Sequence, residues 1–144
     1  MSSSTYQSKR GFTIVELLIV IVIIAILAAI SIVLFSGVQQ RGRDSQRAAD
    51  SANIVKALTT IVTDGAVWPA DATAAGTALN GSTVANLGTA VTGKIQSDAP
   101  AHDNTIEYRY TVCTTSSVNT GAQITYWKEQ TSAEVSVKAG TGTC

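Results

Sequence analysis

Lys9-Arg10-Gly11-Phe12-Thr13-Ile14-Val15-Glu16-Leu17-Leu18 opens an apolar run that reaches Phe35 with no further charge. From Leu17 to Phe35, Ser31 is the only polar residue. At about 1.5 Å per residue the run is long enough to cross a hydrocarbon core of roughly 30 Å as a helix. A cleavable secretory signal has a shorter apolar region, about 7–15 residues, followed by a small-x-small site, and no Ala-x-Ala follows here. A simple anchor accounts for the length but leaves Glu16 over. A carboxylate at mid-bilayer costs about 2.5–3.5 kcal/mol or more, so it needs a partner, a task, or a position from which it snorkels into the headgroups.

A basic pair, a Gly-Phe junction, a carboxylate four residues past that junction and a full-length apolar run together resemble the processing motif of type IV prepilins and type II secretion pseudopilins. The resemblance implies that a membrane-embedded prepilin peptidase cuts between Gly11 and Phe12 and that the new N-terminal Phe12 is N-methylated. Gly11 suits such a cut because bare backbone admits close approach. Cleavage removes Lys9 and Arg10 and leaves a cationic amine about one helical turn from Glu16. By the same resemblance Glu16 pairs with the Phe12 amine of a neighbouring subunit in a helical homo-oligomeric filament, built on a pilus assembly platform. A misplaced subunit would leave two charges unpaired in an apolar bundle, so the pair selects register more than it adds strength.

The resemblance implies an α+β fold, a long N-terminal helix packed on a small C-terminal antiparallel sheet. The expected divisions are a leader over residues 1–11, an apolar transmembrane and assembly helix over 12–35, its amphipathic continuation over 36–64, a variable loop region over 65–104, and the sheet with a disulfide-bounded end over 105–144. The residues beyond the apolar run suffice for one modest core. Ten basic and ten acidic residues among 144 give no basic excess of the kind that marks a nucleic-acid partner. Orientation by charge is undecided, because Lys9 and Arg10 before the run face Arg41, Arg43 and Arg47 after it.

The two cysteines, Cys113 and Cys144, admit two readings: free thiols in a cytosolic domain, or a bridge that pins the chain's last residue. The bridge is expected. Closing a loop of about 30 residues, it would stabilise by roughly 3–4 kcal/mol on the chain-entropy estimate. It requires an oxidising compartment, and the resemblance to pilins, which commonly close their C-terminal region this way, points in the same direction.

Beyond Phe35 the helix is expected to continue to Thr63, for no proline occurs before Pro69 and Gly37 and Gly42 cost only about 1 kcal/mol each. Ala48, Ala52, Ile54, Val55, Leu58, Ile61 and Val62 recur at spacings of three and four and form the stripe expected to face the sheet, with Arg43, Asp44, Arg47, Asp50 and Lys56 opposite. The stretch from Arg43 to Pro69 resembles the matching part of major pseudopilins and of pilins from Gram-positive lineages. From Ala70 to about Gln96 the composition turns to Ala, Thr, Gly, Ser and Asn and reads as a surface loop with a short element near Ala85 to Val91. Ile106, Tyr108, Tyr110 and Val112, then Ile124 and Tyr126, then Val135 and Val137 alternate with polar residues as strands do.

His102 is the only histidine, so no multi-histidine metal site or histidine-based catalytic pair can be assembled. Asp98 and Asp103 fall short of the oxygen-rich cluster that calcium needs. Trp68, Tyr108, Tyr110, Tyr126 and Trp127 read as cross-strand packing before a binding platform. No enzyme and no cofactor are expected. The leading expectation is the subunit of an extracellular type IV pilus, held in the bacterial cytoplasmic membrane by a single pass before assembly and serving adhesion, twitching or DNA uptake. A pseudopilin of a type II secretion or competence system, or a monomeric membrane-anchored binding domain, are the alternatives.

Overall fold

In the computed structural model, which describes residues 11–144, helix α1 runs Ile14–Thr63. Lys9, Arg10 and the rest of the expected leader before Gly11 lie outside the described residues. The chain divides into two compact units, one ending at Val38 and one running from Gln39 to Cys144. In the first, the apolar side chains of the helix among the described residues are exposed. The second holds the core.

Within that second unit the buried positions of α1 are Asp44, Arg47, Ser51, Ile54, Ala57 and Leu58. Their spacing of three and four is helical, as expected, but the face is turned from the one the apolar residues alone indicate. Ala48 and Ala52 are exposed, whereas Asp44 and Arg47, expected outside, are buried. The reason is pairing: a charge goes inside when it is ion-paired and hydrogen-bonded there, and these two are. The helix ends in a Schellman motif. Gly65 in the left-handed region (φ 106°) lets its own N–H reach the Val62 carbonyl and that of Ala66 reach Ile61, satisfying carbonyls the last turn leaves open.

The expected loop region contains two helices, α2 (Ala72–Gly81) and α3 (Thr89–Thr92), and a two-residue strand β1 (Ile95–Gln96). Asp71 caps α2, its Oδ1 accepting from the Ala74 N–H at 2.8 Å. The helix then buries Ala72, Ala75 and Leu79 against the core. Alanine buries too little area to stand out in a sequence, yet it lets the helix approach the core closely.

β2 (Tyr108–Thr115), β3 (Val118–Lys128) and β4 (Ala133–Gly140) form the antiparallel meander, and β1 joins it beside β2 in parallel, giving a four-stranded mixed sheet in the order β1-β2-β3-β4. The wholly antiparallel expectation is thus corrected at one edge, where Ile95 pairs with Tyr108. Register aligns Tyr110, Ile124 and Val137 across the three long strands and Tyr126 with Val135. With Ile54, Ala57 and Leu58 of α1 they make one core. Two of the three buried tyrosines find acceptors for their hydroxyls within the core, Tyr108 at Asp50 and Tyr110 at the Pro69 carbonyl, each at 2.7 Å. The layout is α+β and pilin-like.

Candidate assembly site

Thr13 stands just before the first helical residue and Glu16 three positions on, the spacing of a reciprocal cap. The Thr13 N–H and the Thr13 hydroxyl both donate to Glu16 Oε2 at 2.8 Å, and the Glu16 N–H donates to Thr13 Oγ1 at 3.2 Å. One carboxylate oxygen therefore closes the helix start. The other, Oε1, makes no hydrogen bond among the described residues. Neutral donors satisfy a carboxylate's geometry without cancelling its charge, so Glu16 retains its demand for a cation.

Gly11 and Phe12 precede this cap and are exposed, Phe12 to 90%. Among the described side chains from Ile14 to Val38 the large apolar ones are exposed as well, and even Val22, the most covered of them, is 46% exposed. Ser31 returns its hydroxyl to the Leu27 carbonyl at 2.8 Å, so the one polar side chain in the run is satisfied within the helix. Among the described residues this is the one helix long and apolar enough to cross a membrane. An unpartnered apolar cylinder that starts at a carboxylate is stable only in lipid or among other such helices.

The second unit is tied together by charge. Arg43 donates to both oxygens of Glu129, at 2.7 and 2.6 Å, and Arg47 donates to Glu129 Oε1 at 2.6 Å and to Asp44 Oδ1 at 3.2 Å. The second Arg47 nitrogen reaches the carbonyls of Asp103 and Thr105, and Asp44 accepts from the backbone N–H groups of Glu129 and Gln130. The Arg43 guanidinium, with Arg47 beside it, holds the Glu129 carboxyl down to about 2. One cluster thus joins α1 to the β3–β4 turn and to the segment before β2. His102 lies nearby in the chain and stacks on Trp127, ring centres 3.9 Å apart.

Cys113 and Cys144 are bridged, and Cys113 is fully buried. Thr114 and Thr143 exchange both backbone hydrogen bonds at 2.9 Å beside the bridge. Gly140 (φ 75°) makes the bend into this tail, at a point where a Cβ would meet the Thr120 carbonyl and the Trp68 ring. The cap of Thr13 on Glu16 has a signal in the sequence, since Thr-x-x-Glu ahead of an apolar run marks a helix start. Glu129 has no such signal, because its partners lie 82 and 86 residues away in the chain.

Residues 6–32 match the family model of the prokaryotic N-terminal methylation motif. The chain is 40% identical over 72 residues to the fimbrial protein EcpC of Eikenella corrodens, a match covering 50% of this chain and 47% of that protein. It is 34% identical over 74 residues to the type IV major pilin protein PilE of Neisseria gonorrhoeae, covering 51% of this chain and 44% of that one. The matches thus span about half the length of these curated relatives. No solved structure matches the chain significantly. The motif and these relatives support a place for the chain in the type IV pilin family.

Proposed function

We propose that this protein is the structural subunit of a surface filament. A prepilin peptidase cuts between Gly11 and Phe12 and N-methylates Phe12, the subunit waits in the cytoplasmic membrane on its apolar helix, and an assembly platform moves it into a helical bundle of identical subunits. The filament stands outside the cell, where adhesion, twitching and DNA uptake are the tasks open to it. The observation that carries this reading is the free oxygen of Glu16 at the head of an uncovered apolar helix. The N-terminal amine of a neighbouring Phe12 supplies the missing cation, and a buried charge left without it costs several kcal/mol.

The test is to shear filaments from cells and measure the intact mass of their subunit. The expected species begins at Phe12 and carries one added methyl group. Filaments lacking this chain, or a cell-associated chain that keeps Lys9 and Arg10 and never enters a filament, would overturn the reading.

A further inference from the structure

Besides the core, the second unit carries a cleft of about 510 Å³ between α1 and the end of β3. Arg41, Ser45, Lys128 and Gln130 line it, with Tyr126 and Asp44. The nearby cations differ in one respect. Arg43 and Arg47 are engaged by Glu129 and Asp44, whereas neither Arg41 nor Lys128 makes an ion pair or side-chain hydrogen bond among the described residues. Asp44 also faces the cleft, and its carboxylate is paired with Arg47, which it shares with Glu129, so the balance of charge around the cleft decides the sign there. Four cations, Arg41, Arg43, Arg47 and Lys128, against three carboxylates, Asp44, Glu129 and the neighbouring Asp103, leave the neighbourhood positive by one.

We propose that this cleft holds the phosphate of an anionic phospholipid headgroup, gripped by Arg41 and Lys128 with Ser45 and Gln130 as neutral donors. The inference rests on the membrane-inserted state proposed above, and position along the chain argues for it. Arg41 follows the last residue of the apolar run, Phe35, by six residues, and a stretch of that length spans roughly 20 Å at most. The polar layer on either face of a bilayer begins within that distance of the hydrocarbon. Cations placed there draw anionic lipid, and a guanidinium with an ammonium and two neutral donors suits a phosphate. Such a contact would fix the depth of the waiting subunit.

The full chain, placed in nanodiscs of equal phosphatidylglycerol and phosphatidylcholine and released into native mass spectrometry, should retain phosphatidylglycerol preferentially. Arg41→Gln and Lys128→Gln should each lower that preference by about fivefold, the equivalent of about 1 kcal/mol per cation near an anionic surface. Lys94→Gln, a cation away from the cleft, should leave it unchanged. A chain that enters nanodiscs but retains both lipids equally would overturn the headgroup site while leaving the membrane reading intact; a chain that does not enter overturns both. Loss of the preference in inorganic phosphate, but not in chloride of equal ionic strength, would reassign the cleft to free phosphate. Failed filament assembly in the double variant with lipid preference intact would assign it to a second copy of the chain.

Discussion

The two units of this chain break the ordinary rule of burial in opposite directions. Up to Val38 the apolar side chains among the described residues are outside and uncovered; from Gln39 onward Asp44 and Arg47 are inside, ion-paired and hydrogen-bonded. The first is a helix whose free-energy minimum lies in another environment. The second is a small domain whose elements are pinned in position by charge. Exposed apolar surface asks for lipid or more subunits, and each interior charge fixes one geometry because any other strands it.

The contrast breaks most sharply at Arg47. Arg47→Ala leaves Asp44, part of Glu129 and the carbonyls of Asp103 and Thr105 without their donor, and should destabilise the second unit by about 3–5 kcal/mol. Near-UV circular dichroism of Trp68 and Trp127 during thermal unfolding of the detergent-solubilised chain gives the reading. A loss under 1 kcal/mol would mean the cluster is ornamental. Next in size is the bridge. Cys144→Ser releases the constraint between residues 31 apart, with an expected loss of about 3–4 kcal/mol in the same assay and no change in membrane extraction.

Acid should act on the second unit through Glu129. Its carboxyl is held down to about 2 in the folded chain against 4.5 for the free group, so its contribution is complete above about pH 4.5 and is lost as the pH falls from there toward 2. Acid titration of the melting temperature should show this loss, and Glu129→Gln should flatten that part of the curve while lowering stability at neutral pH. An unaltered acid limb in Glu129→Gln would assign the loss to other carboxylates.

What the sequence discloses follows from how far apart the cooperating residues stand. The motif from Lys9 to Leu18 is legible because its parts are contiguous, and the tyrosine alternation from Tyr108 to Val112 marks a strand for the same reason. The Arg43–Arg47–Glu129 cluster is not, since no local pattern links residues more than 80 positions apart. Helix α2 hides because its buried side chains are mostly alanine. The β2–β3 hairpin turns on Ser116 and Ser117, both with positive φ, where Asn-Gly would have announced it. The cap of Thr13 on Glu16 is legible for the same reason as the motif, its two residues standing three positions apart.

That cap also supplies the most direct test of the account. Glutamine at the third helical position still accepts from Thr13, so Glu16→Gln keeps the helix start and removes only the charge. The comparison is the amount of processed subunit in the membrane against the amount sheared from the cell surface. The account predicts wild-type membrane levels, an unchanged melting temperature for the second unit, and filaments reduced to near absence, because each neighbouring Phe12 amine loses its counter-charge. Normal filament yield from Glu16→Gln would contradict it and leave Glu16 a helix cap alone.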